Sequence, residues 1–375
     1  MALSMAQPSD NSRSTPPLRA SYGANCAPGS LSHGDLGGLT GIFRAMAGAN
    51  PLAVMPTMAD DLARVEAELM VSVAAENPFL TEIAQHLIAA GGKRVRPGFT
   101  IAAAATALAE DRPASSEAIT GGVAVELVHL GSLYHDDVMD EAEVRRTVDS
   151  VNARWGNLKA ILAGDFLLAR ASELAAGLGV EVAGLLAATI GRLCEGQLLE
   201  LQHAFDVNRA EDLYLRSIGG KTASLLGSAC RIGGIVANLP RAHTDALTTF
   251  GWSYGMAFQV VDDVLDIVST EDQLGKPAGH DLEEGVYTLP VIRTLAGPRG
   301  AELRPLLTRD IDPSTRDKAI EIVREDGGIE NAIAAARAFA EEGRAALSTL
   351  PASPGVTGLT AAAEYLLNSV EAAAA

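Results

Sequence analysis

From Thr57 onward, apolar residues recur at helical spacing, with Leu62, Val65, Leu69 and Val73 forming the first stripe. This period predicts an amphipathic helix, and Thr57 with Asp60 resembles a capping box at its start. Asn77-Pro78 ends that helix, and a second is expected from Phe79 to Ala90, stopped by Gly91-Gly92. A longer period runs from about Ser115 to Glu143 through Val123, Leu127, Leu130 and Leu133. Further apolar helices are expected over Ala160 to Gly177, Gly179 to Leu201 and Thr244 to Val268. Helical patterning resumes over Ser314 to Arg324, Gly328 to Leu347 and Gly358 to Ala374. Strand-like alternation persists nowhere, so the expected fold class is all-α.

Residues 1 to about 50 break the pattern. They are rich in Ser, Pro, Gly and Ala without a sustained period, which is the composition of a disordered extension. The segment lacks the compact apolar block of a secretory signal. Being poor in acids and carrying Arg13, Arg19 and Arg44, it leaves an organelle transit peptide open beside an untargeted tail or a start codon assigned too far upstream. The organisation expected is therefore an extension over 1–50 and one domain over 57–375.

Composition narrows the partners. Of 375 residues, 48% are hydrophobic and only 4% aromatic, which suits closely packed helices better than sheets. A formal net charge of −18 argues against nucleic acid, whose backbone needs a basic face, but not against a small anion held by a few well-placed cations. Cys26, Cys194 and Cys230 have no paired spacing, so neither a disulfide framework nor a zinc site is indicated and a reducing, cytoplasmic compartment is expected. The longest apolar window, about Leu174 to Ile190, contains Glu181 and several glycines and falls short of the roughly 20 residues of a membrane span. A soluble protein is expected.

The chemistry concentrates in two acidic runs, His135-Asp136-Asp137-Val138-Met139-Asp140 and Asp262-Asp263-Val264-Leu265-Asp266. Residues four apart share a helix face, so Asp136 converges with Asp140, and Asp262 with Asp266. Like charges at that spacing cost an isolated helix roughly 0.2–0.5 kcal/mol per pair. One such run is ordinarily a solvated face; two, each with apolar flanks and basic residues nearby, argue for a compensating cation. Mg²⁺ fits, because it takes oxygen ligands and typically joins one or two carboxylates to a substrate phosphate. Two facing pairs would clamp a diphosphate.

Cations stand near each run. Gly91-Gly92-Lys93-Arg94-Val95-Arg96-Pro97 combines glycines that admit an anion closely with donors suited to phosphate. Arg145-Arg146 follows the first run, and His129 lies about two turns before it on a similar face. Gly219-Gly220-Lys221-Thr222 opens a helix through Cys230, so its lysine and hydroxyl are expected near a helix N-terminus that favours anions. It lacks the spacing of a P-loop. Gln259 stands one turn before Asp263, and a loop rich in Gly, Lys and Asp, from Gly275 to Asp281, follows the second run.

Taken in order, GGKRVRP, HDDVMD with Arg145-Arg146, GGKT, QVVDDVLD and GKPAGHD resemble the trans-isoprenyl diphosphate synthase (polyprenyl synthetase) family over roughly Leu62 to Leu347. The resemblance implies one all-α domain of antiparallel helices around a central apolar cavity, usually a homodimer. The activity it implies is Mg²⁺-dependent condensation of isopentenyl diphosphate with an allylic prenyl diphosphate, with transient membrane contact for product release. By position, Asp136, Asp140, Asp262 and Asp266 would bind Mg²⁺, with Asp137 and Asp263 in support. Arg145, Lys221, Gln259 and Lys276 would hold the allylic diphosphate, with Thr222 near the developing cation. Lys93, Arg96, His129 and Arg146 would hold isopentenyl diphosphate. Val286 departs from the lysine common in the family. Ser132 and Gly131, four and five residues before the first aspartate, leave the cavity open where an aromatic would close it, unless their smallness only serves helix packing. Open, they imply products beyond twenty carbons. A short-chain farnesyl or geranylgeranyl synthase, a class I terpene cyclase and a non-catalytic subunit of a heteromeric synthase are the alternatives.

Overall fold

The computed structural model describes residues 51–269 and 278–374, the side chains of 369–374 excepted. The extension over 1–50 and Lys276 therefore lie outside the described residues. The long helices are α1 (Met58–Ser72), α2 (Pro78–Ala89), α3 (Val95–Ala104), α4 (Ser116–Met139), α5 (Asn157–Gly177) and α6 (Val180–Gln202). They continue as α7 (Glu211–Ile218), α8 (Ser224–Val236), α9 (Arg241–Val268), α10 (Pro313–Glu325), α11 (Gly328–Leu347) and α12 (Pro354–Ala374).

The centre of the bundle is α3 with α8, flanked by α4 and α9; α5 covers α4, and α11 covers α9. α3 is buried without a break from Pro97 to Ala103, as a helix surrounded on all sides must be. The sequence pattern missed it, because an apolar run with Pro and Gly shows no stripe. Pro97 is tolerated since it falls in the first turn, where its missing N–H has no intrahelical partner. Close approach of α8 to α3 depends on Gly233, where a Cβ would stand 2.3 Å from the Thr100 carbonyl oxygen.

Four further expectations are corrected. Thr57 does not cap α1 with its side chain; its N–H and hydroxyl instead donate to Asp111, 3.2 and 3.3 Å away, tying the helix start to a distant loop. Asn77 caps the start of α2, accepting from Phe79 and Leu80. The first acidic run ends its helix at Met139, and the chain then turns through a short antiparallel hairpin, Val144–Arg145 against Val148–Asp149. Finally, Gly219–Ala223 is not a helix N-terminus but a π-helical turn inserted between α7 and α8, so no free N–H groups point from it. Its Gly220 touches Gly196 of α6, where a Cβ would lie 2.6 Å from the Arg192 carbonyl oxygen. Ser115 caps α4 as an N-cap serine should, accepting from Ala118 at 3.2 Å.

The extent of the apolar run near residue 180 also differs from expectation. α6 is by length and composition apolar enough to cross a membrane. One of its faces packs on α5, α8 and the π-turn, while Leu198 and Leu201 remain exposed, as do Leu158 and Leu162 of α5.

A buried ion pair ties the N-terminal helices together. Arg94, in the left-handed region at φ 46°, donates to Glu126 of α4 at 2.9 Å, to Glu66 of α1 and to the Ile88 carbonyl. Arg94 and Glu126 are both almost fully buried, so removing either partner strands a charge. Arg94→Met is expected to lower the unfolding free energy by roughly 3–5 kcal/mol. A urea titration followed by far-UV circular dichroism measures it.

Candidate active site

The acidic runs lie in the last turns of α4 and α9 and meet across one space. Asp136, Asp140 and Asp262 line a channel of about 770 Å³ whose other walls include Leu133, Ile161, Leu168, Ile190, Leu193 and Phe258. A second, polar chamber of about 430 Å³ adjoins it, sharing Asp140, Gln197, Lys221, Thr222 and Gln259 among its walls.

Helix rotation divides the six aspartates. Asp137 is wholly buried and receives both the Nε and the Nη2 of Arg145 on one oxygen, at 2.7 and 2.6 Å. Asp137, expected in support of the metal ligands, positions Arg145, which does line the channel. Asp263 is buried and held by Tyr214 at 2.5 Å and by Gln259 at 2.9 Å, one donor to each oxygen. Asp266 is buried and accepts from the Asp281 N–H at 3.2 Å, so one of its oxygens is committed to the short helix His280–Glu283. Of the six aspartates of the two runs, Asp136, Asp140 and Asp262 line the channel.

Burial dominates their electrostatics. The carboxyl of Asp136 is pushed up to about 6 by burial, with Lys221 opposing and Asp140 adding to the rise. Burial likewise raises Asp140, and it pushes Asp263 up to about 7 against the hydrogen bonds from Tyr214 and Gln259.

Lys221 lines both spaces and is paired to Glu200 of α6 at 2.6 Å. Thr222 donates to the Gln259 side-chain oxygen at 2.8 Å, which completes a chain from Thr222 through Gln259 to Asp263 and Tyr214. At the far wall, Arg96 and His129 line the channel. Burial, reinforced by Arg96 and Arg146, holds the imidazole well below its ordinary value, so His129 is neutral. Arg96 keeps a buried Nε with no partner. Arg146 stands behind them, donating to the Leu87 and Gly91 carbonyls, and Lys93 is exposed on the same turn. Gly131 packs on α5, where a Cβ would lie 3.1 Å from the Gly164 carbonyl oxygen, whereas Ser132 lines the channel.

Sequence patterns did not point to Glu200, Arg209, Tyr214 or Glu126. None belongs to a motif, and each reaches its partner over at least 20 residues of chain; helical periodicity carries no signal at that separation.

The polyprenyl synthetase family profile matches residues 77–323. Nonaprenyl diphosphate synthase of Mycobacterium tuberculosis is 38% identical over 310 residues, covering 82% of this chain and 92% of that one. Heptaprenyl diphosphate synthase component 2 of Geobacillus stearothermophilus is 37% identical over 300 residues, covering 80% and 92%. A polyprenyl synthase of Caulobacter crescentus, solved with calcium and isoprenyl diphosphate, superposes with a TM-score of 0.77 at 33% identity, covering 84% of this chain and 96% of that one. The chain belongs to the polyprenyl synthetase family. It is a prenyltransferase with the all-α isoprenoid synthase fold.

The raised Asp136 pKa has a consequence for stability. Because its folded-state value exceeds the ordinary 3.8, the folded protein binds this proton more tightly than the unfolded chain. That contribution is present below about pH 4 and lost as pH rises through about 6. Asp136→Asn, in chelator, should therefore match wild type near pH 4 and exceed it by on the order of 1–2 kcal/mol at pH 7. Urea midpoints at both pH values measure the difference, and the reverse ordering contradicts the assigned environment.

Proposed function

We propose that this chain condenses isopentenyl diphosphate with an allylic prenyl diphosphate, in the presence of Mg²⁺, to give an all-trans polyprenyl diphosphate longer than twenty carbons. The observation that carries this reading is the meeting of Asp136, Asp140 and Asp262 in one channel that also holds Arg96, Arg145 and Lys221 and the apolar walls Leu133, Ile161 and Leu168. Among the described residues no three His, Cys, Asp or Glu side chains converge closely enough to hold an ion alone. Separate oxygen donors around a space suit a hard divalent cation that completes its shell with water and substrate phosphate. Once bound, Mg²⁺ supplies neutralisation of the charge that grows on the departing diphosphate.

The remaining work falls to side chains. The allylic carbon–oxygen bond breaks with its electron pair leaving on diphosphate, which Lys221 and Arg145 receive as preplaced cations. Thr222 and Gln259 present their oxygens to the same region, where an allylic cation is favoured. Arg96 and neutral His129 offer donors to the second diphosphate, with Arg146 and Lys93 behind them. The isopentenyl double bond attacks the allylic carbon, forming the new carbon–carbon bond, and a proton is lost to the departed diphosphate. Leu133, Ile161 and Leu168 keep water from quenching the cation. No side-chain nucleophile is needed. A terpene cyclase would have no use for the second basic wall.

The exposed Leu158 and Leu162 support a homodimer in which a second copy covers this face of α5. The unpaired thiols of Cys194 and Cys230 support a reducing compartment, the cytoplasm. The Geobacillus relative, named as one component of its synthase, favours a second reading: a catalytic subunit that requires a partner. Purified chain with Mg²⁺, labelled isopentenyl diphosphate and farnesyl diphosphate is expected to release products beyond twenty carbons by mass spectrometry. Activity only after adding a second polypeptide would establish the heteromer, and cyclic hydrocarbon from the allylic substrate alone would establish a cyclase.

Ser132 lies one turn below Asp136 on the channel wall. Ser132→Phe should shorten the product by at least one five-carbon unit. Chromatography of the extracted lipids reads this, and an unchanged length distribution speaks against elongation along this wall.

A further inference from the structure

Arg209 lies in the segment between α6 and α7, outside every acidic or basic run. Its side chain is 5% exposed, yet it faces the polar chamber lined by Asp140, Lys221, Thr222 and Thr288. One guanidinium nitrogen, Nη1, donates to the Tyr287 carbonyl at 3.3 Å, and the plane stands 5.7 Å from the Tyr214 ring centroid. Among the described residues Nε and Nη2 have no hydrogen-bond partner. Glu200, Asp263 and Asp206 act on it only through space.

A buried cation with donors unused is expensive, and such groups are retained where a ligand completes them. Nε and Nη2 share one edge of the guanidinium plane, the edge that takes two phosphate oxygens in parallel. The Tyr287 carbonyl and the Tyr214 ring fix the plane, so little side-chain freedom is lost when that edge is used. Lys221 lines the same chamber.

We infer that Arg209 is a further anchor for the allylic diphosphate, its free guanidinium edge gripping phosphate oxygens in the chamber that Lys221 also lines. This rests on the proposed condensation, since only a diphosphate gives that edge two oxygens beside Lys221 and the aspartates. The competing occupant is a carboxylate of the chamber itself, Asp281 or Glu284.

The test is calorimetric titration of the full chain with inorganic pyrophosphate and Mg²⁺. Arg209→Gln, which keeps a donor for the Tyr287 carbonyl, should weaken pyrophosphate about 10- to 100-fold while the KM for isopentenyl diphosphate moves less than about threefold. Unchanged pyrophosphate affinity, as internal pairing with Asp281 or Glu284 predicts, overturns the assignment. So does an equal loss for both diphosphates.

Val286 lines the chamber one residue from the carbonyl that holds Arg209, so a lysine there can reach the same place. Val286→Lys should recover most of the affinity in the Arg209→Gln background and change the wild type by less than about twofold, because a second cation there is redundant. Tenfold tightening in the wild type would mean that the position lacked a cation, and would refute the role of Arg209 even if Arg209→Gln fails to fold. Pyrophosphate binding that depends on Arg209 without elongation of isopentenyl diphosphate would uphold the anchor and sink the condensation reading. Elongation indifferent to Arg209 would do the reverse.

Discussion

Everything around the site answers one electrostatic problem: negative charge gathered at the C-terminal ends of two helices and turned toward a common hollow. Each helix already presents a partial negative charge there, through its unsatisfied carbonyls. Adding Asp136 and Asp140 to one end and Asp262 to the other makes both ends worse for the fold and better for cations. Lys221 meets part of that charge and Arg145 another part, each tethered by an acid of its own, Glu200 and Asp137. The buried aspartates Asp137, Asp263 and Asp266 brace this arrangement. They hold the arginine, the tyrosine–glutamine chain and the short helix His280–Glu283 in place, while Arg324 donates to the Ile267 carbonyl near the end of α9.

The opposite wall solves the inverse problem with the same means. Four basic groups crowd near the start of α3 and the middle of α4, and their mutual repulsion is relieved in two ways. Arg94 is neutralised by Glu66 and Glu126 and becomes a structural tie, and burial beside the arginines holds the His129 imidazole well below its ordinary value. What remains charged toward the channel is Arg96, with Arg146 fastened to backbone carbonyls behind it. Between the acidic and basic walls runs the apolar channel. There, low dielectric strengthens both sets of interactions and keeps water from a reactive carbon.

Family-level chemistry was legible because it rests on residues close in sequence. Asp136 and Asp140 show their shared face through helical spacing alone, and five motifs in order point to the family without coordinates. Legibility ended where a residue's meaning depends on which way its helix is turned. Asp137 and Asp136 are neighbours, yet one is sealed beneath Arg145 and the other lines the channel. Asp266 shares a nominal face with Asp262, yet one of its oxygens is claimed by the Asp281 N–H. In GGKT the glycines suggested a helix start, whereas they permit contact between Gly220 and Gly196 within a π-turn.

By itself, then, the sequence determined the helical class, the ends of most helices and the reaction type, since periodicity, capping residues and clustered charges act over a few residues. Only the tertiary structure decided which carboxylates face the channel, that α3 lies at the centre, and that Glu200, Tyr214 and Arg209 belong to the site. Those facts follow from helix rotation and close packing between segments far apart in the chain. Neither leaves a periodic trace along it.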